Sequence, residues 1–544
     1  MKIRKFIAKN VIIKLYIDMS QCKQCKKEFT IFPEDKKFYQ RLDVPEPTFC
    51  PDCRLQRRLI WRNSSKLYQR ECNLCGKNFI GLFSPDKKLT VYCNDCYWSD
   101  NWNDLKSGRD FDFNRTFNEQ FAELIQSAPN IAVHNESPIN SDYTNLGYRN
   151  RNCYLCFGTD LSEDCYYCTD AFKCRNTFDC YFSQELELCS WCIDCCKSYN
   201  THYSQECENL QDCYGCFDCK NCHHCLGCAG LRNKGYYLFN KKVSPEEWQE
   251  QVDKIIHHQN YYEIYNRAKK NWQVIPKKAT SIIKSENCTG NHIKNCKNIF
   301  DSFDCNEVEN AKYCHHIIPT GKDIMDVYGS GAGCELTYEY IMGYGYNLQF
   351  SSICYKGCFN LQYCYFLAGC KDCFGCASLK KKQYCIFNKQ YTKEEYFVLK
   401  EKIIEHMKKT GEFGEFLNIK CSPFCYNETE AQLFFPLAKK QALNLGYHWQ
   451  EEKKLIIDKN LPVCLTCGKN FKIIKQEQAF LKKQNLPNPV DCPDCRFQYL
   501  FKMRNPYKLW QRKCDKCHTN IQTAYSPDKS DIIYCEECYQ KEIY

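Results

Sequence analysis

The chain has 544 residues, 47 of them cysteine, and a formal net charge of +10. That length exceeds one ordinary core and implies several domains. So much cysteine would mark a disulfide scaffold in a short exported chain, and no stretch here is long and apolar enough to span a bilayer. The first 18 residues are basic, and their apolar run from Val11 to Ile17 is interrupted by Lys14 and lacks a small-residue cleavage site. Met19, three residues before Cys22, offers a second candidate start. Together these features predict a cytoplasmic protein whose thiols are free or metal-bound, with no membrane partner.

Residues 20 to 100 hold four CxxC pairs: Cys22 with Cys25, Cys50 with Cys53, Cys72 with Cys75, and Cys93 with Cys96. A CxxC turn presents two thiolates to a tetrahedral zinc, and two turns close a four-thiolate site, so this module predicts two zinc ions. The spacing favours sequential pairing into two ribbons; an interleaved cross-brace would use the same residues. Asn78 to Phe83 and Leu89 to Tyr92, with Ser84-Pro85-Asp86 between them, read as a hairpin. A module this small folds only with help, and structural zinc supplies roughly 10 to 16 kcal/mol to zinc-finger peptides. Between the ribbons, RLQRRLIWRNSSKLYQR carries Arg54, Arg62, Lys66 and Arg70. Planar cations beside aromatics such as Tyr68 suit a phosphate backbone with stackable bases, which makes these four candidate nucleic-acid contacts. A solvated connector packed on the ribbons would use the same composition.

From 110 to 240 the expectation is a helix followed by a first solenoid. Phe117, Phe121, Leu124 and Ile125 mark the helix, ahead of Pro129, as a cap on that solenoid. From Cys153 to Cys228 every third residue is Cys, Ser, Thr, Ala or Leu, and 16 of these 26 positions are Cys. Neither the 3.6 period of a helix nor the 2.0 period of a strand produces this. A solenoid whose coil is a multiple of three does, and 18 residues is one candidate, stacking Cys153, Ala171, Cys189, Cys207 and Cys225. The run Cys213, Cys216, Cys219, Cys222, Cys225 and Cys228, with His223 and His224, would suit a thiolate cluster. Because Ser, Thr, Ala and Leu share the phase, small size at a packed position is the preferred reading. Aromatics just before the triplet residue, as in Tyr167, Phe217 and Tyr363, predict stacked outer ladders.

A helical connector is expected at 241–280, a second solenoid at 281–391, and a helical segment with linker at 392–450. CLGCAGLRNKGYYLFNKKVSPEEW at Cys225 returns as CFGCASLKKKQYCIFNKQYTKEEY at Cys373, so the centre is duplicated. Each copy ends in a capping box, Ser244 with Glu247 and Thr392 with Glu395, ahead of a helix able to cover the open end of its solenoid. Cys421 and Cys425 read as stray thiols. Residues 458–542 then repeat the first module at a constant offset of 442, as Cys464, Cys467, Cys492, Cys495, Cys514, Cys517, Cys535 and Cys538, with Arg496, Arg504, Lys508 and Arg512 in the connector.

ECNLCGKNFIGLFSPDKKLTVYCNDCYW and KCDKCHTNIQTAYSPDKSDIIYCEECYQ resemble the bacterial and archaeal CxxC-x17-CxxC zinc-ribbon domain, including Tyr97 or Tyr539 after the last pair. CLTCGKNFKIIKQEQAFLKKQNLPNPVDCPDCR is similar to a zinc-binding domain with an acidic-Gln pair and a closing C-x-x-C-R; the first copy has Pro33-Glu34-Asp35 in place of Gln476-Glu477-Gln478. The whole chain resembles an uncharacterised bacterial family often labelled CaiB/BaiF. That label implies a CoA-transferase with an aspartyl nucleophile in an α/β fold, whereas the repeated βα pattern of such a fold is missing from this sequence.

Charge is uneven: residues 1–110 hold 22 Lys and Arg against 13 acids, residues 451–544 hold 17 against 12, and the middle is slightly acidic. That favours an anionic partner at the ends, or serves solubility. No glycine-rich phosphate loop, nucleophile elbow or HExxH motif is present. The expected fold is mainly β with short helices, zinc-ribbon modules flanking a duplicated cysteine-rich β-solenoid. The expected function is a non-catalytic scaffold holding about four Zn2+ and binding nucleic acid or protein, with no small-molecule substrate identified; a thiol-rich metal-handling or redox protein is the alternative.

Overall fold

Every third residue of the centre turns a corner. In the computed structural model, which describes residues 18–256, 261–330, 333–451 and 458–543, Asn152, Leu155, Leu161, Asp164, Tyr167 and Asp170 have φ between 49° and 59°, and Gly158 fills the gap in the series. A left-handed residue at each third position lets 12 residues close a coil of four short sides. Parallel bridges set the stacking: Tyr154 faces Tyr166, Phe157 faces Thr169, and Gln184 faces Cys196. The first solenoid therefore repeats at 12 residues, not at 18. Both are multiples of three, and the triplet alone does not choose between them. In the second solenoid the step varies slightly, with Glu286 on Lys297, Lys297 on Glu309 and Gly321 on Cys334. The basic stretch before Asp18, including Val11 to Ile17, lies outside the described residues.

The corner and the residue after it divide the work. Asn and Asp tolerate left-handed backbone better than other L-residues, and at corners they stack into ladders: Asn209 Nδ2 donates to Asn221 Oδ1 at 3.0 Å, and Asn221 Nδ2 to Asn233 Oδ1 at 3.1 Å. The next residue points inward, and Cys156, Cys168, Cys180, Cys192, Ser204, Cys216 and Cys228 fall in one buried column. Small size is half of the requirement there. An inward amide takes its acceptor from the coil before, as Cys216 N does from Ser204 Oγ (3.0 Å), Cys314 N from Ser302 Oγ (3.1 Å) and Val308 N from Cys296 Sγ (3.4 Å). The thiols in turn donate to carbonyls, Cys192 Sγ to Ser190 O and Thr201 O at 3.5 and 3.3 Å. Cys, Ser and Thr satisfy both needs, so buried polar groups stay paired along the core. Aromatic ladders form, Tyr166 on Phe178 at 4.7 Å and Phe350 on Tyr363 at 4.9 Å between ring centroids, whereas Tyr167 meets Tyr154 edge-on and Phe217 packs on Trp272.

The chain divides into two compact units that are not serial in sequence. One joins the segment ending at Ala132 to Ile282–Gln450, so the first cysteine module sits on the second solenoid; the other joins Val133–Ser281 to the segment from Glu451, so the last module sits on the first solenoid. The helix Phe117–Ser127, expected to cap the first solenoid, accordingly packs on the second, with Phe117 against Tyr363, Phe374 and Phe387. In the second unit, the helices Pro245–Ile256 and Tyr261–Gln273 follow the first solenoid and line its flank rather than cover its end. The latter binds one corner column: Tyr265 Oη donates to Trp191 O, Trp272 Nε1 to Gly215 O at 3.0 Å, and Asn271 Nδ2 to Gly227 O at 2.9 Å. Both capping boxes guide the chain off their solenoids: Glu247 N donates to Ser244 Oγ at 3.2 Å, and Glu395 N to Thr392 Oγ1 at 3.2 Å.

The ribbon hairpin differs from its expected form. Asn78–Gly81 pairs antiparallel with Tyr68–Glu71, folding around Cys72 and Cys75, while Val91–Tyr92 pairs parallel with Asn130–Ile131. The Cys72–Cys75 turn sits at the bend of the Tyr68–Glu71 and Asn78–Gly81 hairpin. Among the described residues, no helix is long and apolar enough to cross a membrane.

Candidate metal centres

Each quartet is built from two different local devices. The first CxxC of a quartet is a turn closed by two main-chain bonds, as when Gly76 N donates to Cys72 O and Cys72 N to Lys77 O, both at 2.9 Å. Its fifth residue is left-handed in every copy: Lys26, Gly76, Gly468 and His518 have φ of 62°, 74°, 72° and 60°. The second CxxC opens a helix, with Cys50 capping Pro51–Leu59, Cys93 capping Asn94–Trp98 and Cys492 capping Pro493–Met503. A helix start offers free N–H groups and a positive dipole end, both of which favour thiolate.

These devices bring together Cys22, Cys25, Cys50 and Cys53; Cys72, Cys75, Cys93 and Cys96; Cys464, Cys467, Cys492 and Cys495; and Cys514, Cys517, Cys535 and Cys538, the Sγ atoms of each group lying within 4.8 Å of one another. Pairing is sequential, not interleaved. The Sγ–Sγ distances are 3.6 Å for Cys25–Cys50, 3.9 Å for Cys75–Cys93, 3.8 Å for Cys467–Cys492 and 3.7 Å for Cys517–Cys535. A tetrahedron with metal–sulfur bonds of about 2.3 Å has edges of about 3.8 Å, so all four groups fit a tetrahedral thiolate site. They are too far apart for disulfides. Thiolate character is supported by Cys93 N and Cys535 N, which donate to Cys72 Sγ and Cys514 Sγ at 3.3 Å. In the last quartet hydrogen bonding from Thr519 lowers the Cys517 thiol to about 6, while burial raises that of Cys538 to about 12.

The central thiols form no such group among the described residues. Most are buried and donate to carbonyls, and burial raises Cys174, Cys195 and Cys305 well above the ordinary thiol range, while thiols stacked beside one another lower Cys168 and Cys219 against their burial. Cys421 and Cys425 are likewise buried, the first donating to Asn118 O at 3.3 Å.

The six candidate arginines of the connectors are engaged within the chain. Arg54 and Arg496 are buried: Arg54 Nε donates to Asp326 Oδ2 at 2.9 Å and Arg496 Nε to Asp179 Oδ1 at 3.0 Å. Arg62 pairs with Glu430 at 2.6 Å and lies over the Tyr328 ring, while Arg504 pairs with Asp194 at 2.9 Å and stacks on Phe182 at 4.0 Å. Arg70 and Arg512 close the loop of their own ribbons, donating to Ser84 O and Leu89 O at 2.9 and 2.6 Å and to Ser526 O and Asp531 O at 3.4 and 3.3 Å. Lys66 is half-buried and Lys508 is exposed, near the Trp510 ring. Of the aromatics beside these cations, Tyr68 is half-buried and donates its hydroxyl to Glu428 at 2.7 Å, while Trp61 packs on Tyr365 of the solenoid.

Sequence reasoning missed Arg58, fully buried between Asp326 and Glu339 at 3.2 and 3.0 Å, and every carboxylate that receives these guanidinium groups. A 12-residue reading would have exposed Asp179, an acid in the corner column of Tyr167, Trp191 and Tyr203. Burial pushes the Asp179 carboxyl up to about 7 with Arg496 opposing it, and pushes Glu339 up to about 7 with Arg58 opposing. The tyrosines that follow the last cysteine pairs are docking residues too: Tyr97 packs on Phe366 at 5.2 Å, and Tyr539 Oη bonds Asp218 and Arg232.

In the unit with the first module, a cleft of about 550 Å³ is lined by Lys23, Arg57 and Lys420 together with Glu119, Glu412 and Glu415. Its carboxylates are engaged locally, Glu412 accepting from Phe117 N and Asn118 N at 3.0 and 2.8 Å and Glu119 from Thr116 N at 3.1 Å.

No family model and no curated protein matches this chain. Among solved structures, one from Desulfovibrio desulfuricans G20 named "putative acetyltransferase" aligns over 49% of this chain and 69% of that chain, at 10% identity and a TM-score of 0.11. A likeness that slight carries no argument about fold or activity.

Proposed function

We propose that this protein is a non-catalytic zinc-binding scaffold in which metal-ordered ribbons are mounted on rigid β-solenoids and present their outer faces to a macromolecular partner. The observation that carries the reading is the set of four thiolate quartets at tetrahedral spacing. Four soft thiolates in a tetrahedron suit zinc, and a quartet with all four positions filled by protein is the form of a structural site rather than a catalytic one.

The partner is inferred to be a protein in preference to a nucleic acid. Four of the eight cations that would have made a phosphate-binding stripe, Arg54, Arg62, Arg496 and Arg504, are engaged with carboxylates of the chain itself. Metal storage is disfavoured by the inward, carbonyl-bonded central thiols. Elemental analysis of protein purified anaerobically under reducing conditions tests the reading: about four zinc ions per chain are expected, unchanged after mild oxidation of the centre. A larger count sustained by the central cysteines would establish metal handling instead. Retention of RNA or DNA that is lost in Arg62→Ala with Arg504→Ala would restore the nucleic-acid partner.

A further inference from the structure

We infer that the solenoid carboxylates Asp326 with Glu339, and Asp179, govern how tightly the first quartet of each module holds its metal, acting through the arginine that follows the last ligand. This rests on the reading of the quartets as metal sites. In the first module, Cys50 caps the Pro51–Leu59 helix, Cys53 lies in its first turn and Arg54 comes next. Arg54 Nη1 donates at 2.7 Å to the carbonyl of Phe49, the residue just before Cys50, while its Nε and Nη2 bind Asp326 at 2.9 and 2.8 Å. One guanidinium thus ties the loop carrying two ligands to a carboxylate on the solenoid. Arg58, one turn further on, adds Glu339 at 3.0 Å.

The second module repeats the Nε and Nη1 contacts and differs at Nη2. Arg496 Nη1 donates to Asp491 O, just before Cys492, at 3.4 Å, its Nε binds Asp179 at 3.0 Å and its Nη2 pairs with Glu477 at 3.0 Å. Conservation of atom roles across a 442-residue offset is more than packing requires. The other quartet of each module is built differently, because Arg70 and Arg512 bond carbonyls of their own ribbon, Arg512 also pairing with Asp515 of that ribbon at 3.7 Å. The four sites therefore fall into two classes: in two an arginine ties the ligand loop to a solenoid carboxylate, and in the other two the arginine stays within its ribbon while the tyrosine after the last ligand docks on the solenoid, Tyr97 on Phe366 and Tyr539 on Asp218. Groups that hold a ligand in orientation tune metal retention strongly, and the coupling is reciprocal: a carboxylate that steadies the loop slows metal loss, and bound metal tightens docking.

The test uses the full-length protein loaded with zinc under anaerobic conditions and challenged with the chromogenic chelator 4-(2-pyridylazo)resorcinol. In Asp326→Asn with Glu339→Gln, one ion of the four should leave roughly ten- to hundredfold faster than in the parent, with the other three unchanged. Asp179→Asn should release a different single ion, and the combined variant two. Glu430→Gln, which removes the partner of Arg62 without touching the ligand loop, should leave all four rates unchanged. Acceleration of all four ions, of none, or an equal effect of Glu430→Gln would overturn the inference, the last by showing that general undocking suffices. Should the double variant fail to accumulate, Arg54→Met reads the same ion, since methionine has no donor for Phe49 O or Asp326. A parent protein with fewer than four tightly held ions would instead count against the metal-site reading itself.

Discussion

Arg54 and Arg496 stand 442 positions apart and direct the same nitrogens at equivalent acceptors, Nε at a solenoid aspartate and Nη1 at the carbonyl before the second ligand pair. Each lies in the unit formed by its module and the solenoid distant from it in sequence. The pairs are buried, so their value lies in specifying where a module docks more than in net stabilisation, since desolvation offsets much of the attraction.

Removing one partner should be costly. Arg496→Met leaves Asp179 and Glu477 buried without their cation and is expected to destabilise the unit by about 3 to 5 kcal/mol. Adding Asp179→Leu and Glu477→Leu should recover most of that loss, because the orphaned charges go with it. Urea unfolding followed by tryptophan fluorescence reads both; a triple variant no better than the single one would show that packing, not charge, sets the cost.

Stripping the metal should separate the two kinds of architecture. With a strong chelator under reducing conditions, amides of the four ribbons are expected to lose hydrogen-exchange protection while those of the solenoid coils keep theirs. The ribbons have little core of their own, whereas the coils are held by parallel ladders and inward hydrogen bonds. Ribbons that stay protected without metal contradict the proposed role of the quartets.

Inward positions should tolerate exchange among Cys, Ser and Thr but not loss of the polar atom. Ser204 accepts from Cys216 N and donates to His202 O, both at 3.0 Å. Ser204→Ala is expected to cost about 1 to 3 kcal/mol by leaving a buried amide unsatisfied, and Ser204→Cys less than that. Cys192→Ser should likewise fold with its full complement of metal. Equal stability of the alanine and cysteine variants in thermal unfolding would leave size as the sole requirement.

Acid should weaken the second unit through His202. Burial lowers its imidazole to about 3, so it stays neutral in the fold while the unfolded chain takes up a proton near pH 6.5. The unfolded state then binds more protons between those values, and stability is present above about pH 6.5 and lost as pH falls toward 3. At pH 5 the loss from this residue is roughly 2 kcal/mol. His202→Phe keeps a ring against Tyr214, on which His202 stacks at 5.3 Å, and should flatten the profile in that range. An unchanged pH profile in the variant would assign the acid sensitivity to other groups.

Much of this arrangement was legible along the chain. The sixteen candidate ligands and their duplication follow from CxxC spacing, because a tight turn fixes where two thiols go regardless of the rest of the fold; which pairs share a site was left to the fold, since a cross-brace uses the same residues. The triplet announced a solenoid with small inward residues, and the capping boxes at Ser244 and Thr392 marked the helix starts, since both signals arise from neighbouring residues. The coil length did not follow, because any multiple of three keeps Cys153 and its successors in phase, and only the bridges such as Tyr154 to Tyr166 select 12. Nor did the destination of the arginines.

Local chemistry thus determined by sequence what each cysteine turn and each triplet corner would do. Tertiary structure alone decided which solenoid each module joins and that Arg54, Arg58 and Arg496 face buried carboxylates instead of solvent. An exposed cation and one awaiting a carboxylate hundreds of residues away have the same neighbours in sequence, and only the folded chain brings Asp326 or Asp179 within reach.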